Sequence, residues 1–124
     1  MNNPIYKDES FKIIGLCIEV YNNLGKGFIE IVYKDALEYE FTKLNIPFKR
    51  ENEFKVNYKG IILPHKYYAD FVIYNKIILE IKANKAINRE DISQTINYLK
   101  ISKFKLGLLV NFGQSSLYYK RIVL

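Results

Sequence analysis

Tryptophan is absent from this 124-residue chain, and cysteine, histidine and methionine each occur once. A single thiol, Cys17, can close no internal disulfide, which suits a reducing compartment. Its simplest reading is a small apolar residue on a helix face. His65, with no second histidine and no cysteine near it, leaves no zinc-binding set. Lying between Pro64 and Lys66, it reads as a surface turn position, with a phosphate contact as the alternative. No serine sits in a nucleophile elbow, and Gly25-Lys26-Gly27 is too short to cradle a phosphate. No apolar run approaches the ~20 residues that cross a bilayer. The first residues lack the apolar core of a secretion signal. These absences lead us to expect a cytoplasmic protein with no membrane partner. With no repeat, low-complexity stretch or linker, the chain reads as a single domain over residues 1–124.

Apolar residues make up 49% of the chain and charged residues 26%, the balance of a globular domain. Nineteen Lys and Arg against thirteen Asp and Glu give a formal charge of +6, which favours a polyanionic partner such as nucleic acid.

Periodicity places a first helix over residues 8–24, with Phe11, Ile14, Ile18 and Tyr21 as its apolar stripe. Gly25-Lys26-Gly27 breaks it. A second helix follows over residues 28–44, with Tyr33, Leu37, Phe41 and Leu44 on one face, ended by Asn45 and Pro47. Alternation over 48–58 gives a strand and Lys59-Gly60 a turn. The sheet then continues through residues 61–63 to Pro64, which demands an edge, a bulge or a break. Residues 67–74 and 77–83 are nearly continuous in apolar side chains, as in strands covered on both faces. Asn88 caps a third helix over residues 89–101, with Ile92, Ile96 and Leu99 as its core stripe. Strands over 105–112 and 117–123 complete an α/β or α+β domain, its helices flanking a central mixed sheet.

Asp70, Glu80 and Lys82 interrupt those apolar strands, and charge in such a place needs a partner or a metal. Glu80 and Lys82 are two apart and share one strand face. If residues 73 and 77 stand opposite each other, Asp70 falls opposite Glu80, with Cβ atoms ~5 Å apart. A two-residue loop would instead throw the carboxylates to opposite faces, so an odd loop or a bulge is expected near Asn75. Adjacent carboxylates raise each other's pKa, and a divalent Mg²⁺ or Mn²⁺ relieves the repulsion. Lys82 beside them could orient a water or neutralise developing charge. The plainer alternative is an exposed Glu–Lys strand pair and an unrelated Asp. Glu30 heads the stripe of the second helix. It either reaches inward toward such a site or merely benefits from the helix dipole. Gln94 and Tyr98 share a helix face opposite the Ile92 stripe, placed for phosphate, sugar or base contact, or else as ordinary surface and half-buried residues. Lys100, Lys103 and Lys105, with Lys85 and Arg89, either form one phosphate-binding surface or a solvated lysine face.

Gly27-Phe-Ile-Glu30-Ile-Val-Tyr33 resembles the signature of the GxxExxY proteins. Ala69-Asp70, Glu80-Ile81-Lys82 and Gln94 to Tyr98 resemble the motif series of the PD-(D/E)xK nuclease superfamily, with Ala69 where a proline is usual. Leu108-Leu-Val-Asn111-Phe-Gly113 and Lys120-Arg-Ile-Val resemble the end of a GxxExxY protein. The resemblance implies a restriction-endonuclease-like core and Mg²⁺-dependent phosphodiester hydrolysis. It implies Asp70, Glu80 and the Ile81 carbonyl as metal ligands, Glu30 completing the metal shell, and Lys82 as the catalytic lysine. Gln94 and Tyr98 match an accessory exonuclease motif. Tyr98, Lys85, Arg89 and Tyr33 are counted as candidate substrate contacts. The expected function is a Mg²⁺- or Mn²⁺-dependent nuclease on DNA rather than RNA, acting alone or as a homodimer. The alternative is an inactive nuclease-fold module for nucleic-acid binding or protein interaction.

Overall fold

The computed structural model describes residues 4–124. Eight elements follow one another: α1 (Lys7–Leu24), α2 (Glu30–Lys43), β1 (Phe48–Tyr58), β2 (Ile61–Ile73), β3 (Ile77–Lys82), α3 (Arg89–Ser102), β4 (Leu106–Asn111) and β5 (Tyr118–Val123). The five strands lie in the order β1-β2-β3-β4-β5. All neighbours are antiparallel except β3 and β4, which run parallel because α3 carries the chain across between them. This is the mixed, helix-flanked α+β sheet anticipated above.

Both faces of the sheet are covered. Ile13, Cys17 and Val20 of α1 and Tyr33, Leu37 and Phe41 of α2 pack against Phe71, Leu79, Ile81 and Leu108. On the other face Tyr98 and Leu99 of α3 meet Ala69, Val72, Ile78 and Leu109. In β3 the odd positions 77, 79 and 81 join the α1/α2 core and Ile78 joins the α3 core. Strand alternation therefore assigns Glu80 and Lys82 to the α3 side. The apolar run of β3 is continuous because both of its faces are buried, and the two charges stand where the run would face α3.

Several boundaries and faces differ from expectation. The stripe of α1 is half right: Ile14 is buried and Tyr21 packs against the core, but Phe11 is 70% and Ile18 44% exposed, and Ile13, Cys17 and Val20 are buried in their place. The helix carries two apolar lines, and spacing alone does not say which one meets the sheet. Leu44 lies just past α2 and is exposed. In α3 the buried line runs through Asp91, Thr95, Tyr98 and Leu99, with Ile92 and Ile96 only half-buried. β2 is one continuous strand through Pro64. The register against β1 shifts between Lys55 and Asn57, so the proline sits in a bulge where no ladder hydrogen bond is required of it.

The connection between β2 and β3 has the odd length the chemistry requires. Ile73 pairs with Ile77 across a three-residue loop, 74–76, in which Tyr74 and Asn75 both take left-handed backbone angles. At the far end of β3 a second constraint operates. The buried Asn111 side chain accepts from the Asn84 N–H at 2.9 Å and donates to the Asn84 carbonyl at 2.9 Å and to Gln114 Oε1 at 2.8 Å. It thus clamps the loop leaving β3 to the loop leaving β4. A Cβ at Gly113 would lie 2.2 Å from the Asn84 carbonyl oxygen, so only glycine allows this approach. Gly113→Ala is accordingly expected to lower stability by about 2 kcal/mol, read from urea unfolding. An unchanged midpoint would show that the two loops are not held this way.

Candidate active site

The β2–β3 ladder runs Ile73↔Ile77, Val72↔Ile78, Phe71↔Leu79 and then stops. Asp70 and Glu80 stand where the next rung would form. The Asp70 N–H donates to Glu80 Oε2 at 2.7 Å, and the Ile81 N–H donates to Asp70 Oδ2 at 2.8 Å. Side-chain carboxylates thus replace backbone carbonyls as acceptors, which brings the two acids together at the point where the strands part.

Glu80 is 3% exposed. Burial, and then the charge of Asp70, hold its carboxyl well above the usual carboxylate range, against the opposing pull of the Asp70 N–H, Lys82 and Lys34. Among the described residues no cation lies within ion-pair distance of Glu80. Asp70 does have one. Lys34, projecting from α2, places Nζ 3.0 Å from Asp70 Oδ1 and 2.6 Å from Glu51 Oε1. Burial works to lower the Lys34 pKa, but the hydrogen bonds and charges of Glu51 and Asp70 prevail and raise it. Glu51 lies on β1 across from Asp70, between the rungs Arg50↔Phe71 and Asn52↔Ala69, with a φ of 52° that few residues other than glycine adopt.

Lys82 Nζ lies 3.7 Å from Asp91 Oδ1. Asp91 is fixed in turn by the capping box of α3: its Oδ2 accepts from the Asn88 N–H, and its own N–H donates to Asn88 Oδ1. The Asn88 cap is as the sequence indicated. Tyr98 is buried, and its hydroxyl donates to the Tyr68 carbonyl at 3.0 Å. Burial and the charges of Glu80 and Asp70 push its pKa up, so it stays a neutral donor behind the acids. Gln94 is exposed on α3, one turn from both Asp91 and Tyr98. Lys85 and Arg89 are exposed where β3 leads into α3. Lys100, Lys103 and Lys105 line a groove past the other end of α3. A helix of 14 residues spans about 20 Å, so the five basic residues form two separate patches, not one surface.

Two expectations need correction, the substrate contacts of Tyr33 and of Tyr98, the latter 3% exposed with its hydroxyl already donated to the Tyr68 carbonyl. Tyr33 is fully buried, its ring stacked on Phe112 at 4.4 Å. Its hydroxyl donates to the Gly25 carbonyl at 2.6 Å and accepts from the Phe28 N–H at 3.3 Å, so it ties down the α1–α2 loop and does not meet substrate. Glu30 is half-buried at the first turn of α2 and makes no side-chain hydrogen bond or ion pair among the described residues. No group of three or more His, Cys, Asp or Glu there is gathered as a ready metal set. The α2 side chain that reaches Asp70 is Lys34, one helical turn on. Ile81 sits between Glu80 and Lys82, its side chain in the α1/α2 core and its N–H on Asp70.

Sequence reasoning missed Lys34, Glu51 and Asp91 as parts of this site. Lys34 had a signal: it follows Glu30 by four and shares its helix face. Asp91 had one too, as the N3 acid of a capped helix beginning just after Lys82. Glu51 had none, since an acid in an alternating strand looks like any solvated position. The donor chemistry fits a hard divalent cation: two oxygen acids share a partly dry site, and the chain supplies a cation to only one of them. Asp70 and Glu80 would hold it.

A sequence model of the PD-(D/E)XK nuclease superfamily matches residues 7–122. Among solved structures, the chain is similar to SSO0001, at 22% identity and a TM-score of 0.56 over 74% of this chain. It spans about half of that protein, 48% of its length. It is also similar to an alkaline exonuclease (LHK-Exo) from Laribacter hongkongensis, at 10% identity and a TM-score of 0.53, covering 99% of this chain and 72% of that one. At these identities the likeness is one of fold. No curated protein matches the sequence.

Glu80 retains its proton in the folded chain to a higher pH than in the unfolded chain. Between the ordinary carboxylate range and that raised value the folded state binds more protons, so metal-free stability falls as pH rises. In chelator, Glu80→Gln should lack this slope. It should be more stable than the parent near neutral pH and converge with it at about pH 4. Urea midpoints across that range read the difference, and a parent whose stability is flat or rises there contradicts the burial of an uncompensated acid.

Proposed function

The chain belongs to the PD-(D/E)XK nuclease superfamily, and on that footing we propose that it is a divalent-metal-dependent nuclease hydrolysing phosphodiester bonds, with DNA as substrate in preference to RNA. The observation that carries this reading is the side-chain exchange between Asp70 and Glu80, with Lys82 two residues on along the same strand. Clustered acids repel a phosphate unless a cation stands between them. Their presence in a chain of charge +6 therefore fits hydrolysis better than plain anion binding. The Gly27–Tyr33 signature supports a place in the GxxExxY branch. Cys17, buried and unpaired, supports a cytoplasmic setting.

When bound by Asp70 and Glu80, Mg²⁺ or Mn²⁺ supplies positive charge beside a phosphate and makes a water more acidic. Lys82 donates to the phosphate oxygens as charge builds on them. Asp91, anchored by its cap, holds the Lys82 ammonium on the α3 side until substrate arrives. Lys85 and Arg89 contact phosphates along the strand, and Gln94 supplies a neutral polar contact at the rim. Tyr98, buried with its hydroxyl engaged by the Tyr68 carbonyl, keeps the rear of the acids dry. Lys34 would have to withdraw from Asp70 Oδ1 for the two acids to hold a cation. Glu30, one turn before it and free of ion pairs among the described residues, and the Ile81 carbonyl would supply further oxygens to such a cation. The same Lys34 contact is the one observation favouring the second reading, an inactive nuclease-fold module for binding or interaction, because an ammonium already neutralises the acid.

Labelled single-stranded DNA, duplex DNA and RNA, incubated with Mg²⁺ and then Mn²⁺, separate the readings. Asp70→Asn and Lys82→Ala should each lower cleavage by at least ~100-fold while leaving the unfolding transition cooperative. Cleavage that persists in chelator, or in Asp70→Asn, overturns the nuclease reading. Metal-independent binding without cleavage of any substrate establishes the second.

A further inference from the structure

The outer face of α1 is apolar and unused within the described residues. Phe11 is 70% and Ile18 44% exposed, and they flank Gly15 on the side facing β5. On that flank a groove of about 270 Å³ opens between α1 and the sheet edge, lined by Phe11, Ile14, Gly15, Ile18 and the half-exposed Tyr119. Arg121 forms part of its wall and is held rigid, donating to Ser10 Oγ and to the Ile5 carbonyl, each at 2.7 Å. Glycine in mid-helix weakens a helix relative to alanine. Here a Cβ would meet nothing within 4 Å, so no packing inside the chain requires Gly15.

We propose that this face is the contact between two copies of the chain, packed antiparallel α1 on α1 about a two-fold axis at Gly15. The argument is that the helix is complementary to itself in this pose. At 100° and 1.5 Å per residue, Phe11 and Ile18 lie on the β5 flank, four residues before and three after the centre. Lys12 and Glu19, both exposed, lie on the opposite flank, three before and four after. A two-fold axis perpendicular to the helices keeps each flank facing itself and inverts height. Phe11 of each copy then meets Ile18 of the other, and Lys12 of each copy meets Glu19 of the other. Gly15 stands against Gly15 and lets the helix axes approach, while the aromatic ring of each copy enters the neighbouring groove. A parallel two-fold pairing would instead bring each flank against the opposite one and set Lys12 on Phe11 and Glu19 on Ile18, charge against apolar surface. The match of apolar with apolar and of Lys12 with Glu19 thus selects the antiparallel pose and a second copy as the occupant. The inference does not depend on the nuclease reading.

Sedimentation velocity on the full chain, from about 1 to about 100 µM, tests it. The expected result is a concentration-dependent dimer. Lys12→Glu and Glu19→Lys should each weaken it at least tenfold, the combined Lys12→Glu/Glu19→Lys chain should regain it, and Gly15→Leu should abolish it. Circular dichroism checks that every variant stays folded; the altered side chains all project from an exposed helix face. A chain monomeric throughout overturns the proposal and leaves the groove to a different partner. A dimer indifferent to these changes, or a double reversal that stays weak, overturns the pairing.

Discussion

One exchange of hydrogen bonds organises this molecule. Where β2 and β3 separate, the rung is made by carboxylates: Glu80 accepts from the Asp70 N–H and Asp70 from the Ile81 N–H. A backbone carbonyl in either place would have extended the sheet and left the acids on its faces. With side chains as acceptors, strand pairing ends and two negative groups converge at the same point. The cost is a desolvated acid, since Glu80 is almost fully buried and held above its ordinary pKa. Structure and chemistry therefore draw on the same atoms, and the site is not a decoration added to a finished sheet.

The surroundings follow from that point. Alternation along β3 sends Leu79 and Ile81 toward α1 and α2 and leaves Glu80 and Lys82 toward α3. The short loop to α3 brings its capped first turn close to Lys82, and there Asp91 acts as both helix cap and lysine partner. Asn111 and Gly113 hold that loop against the end of β4, so the backbone following Lys82 is fixed from two sides. The superfamily match over residues 7–122 extends through all of these elements.

Much of this was legible in the residues. The odd loop that sets Ile73 against Ile77 followed from asking what would place two acids together, and the Asn88 cap followed from its place just ahead of the third helix. Pro64 was known to need an irregularity and has one. Faces were harder. Phe11 and Ile18 made as good a stripe as Ile13 and Cys17, because a helix with two apolar lines gives spacing no means of choosing. Lys34 was passed over because an ammonium on a helix usually points to water, and only the tertiary fold sets it beside Asp70. Glu51 was beyond reach, since its left-handed backbone carries no sequence mark.

Lys34 has a consequence for what Asp70 can bind. A tethered ammonium already sits between Asp70 and Glu51, so the folded chain carries its own counter-charge for Asp70. Any cation drawn to Asp70 would meet that tethered rival first, and its apparent affinity would fall in proportion to the fraction of molecules in which Lys34 stays docked.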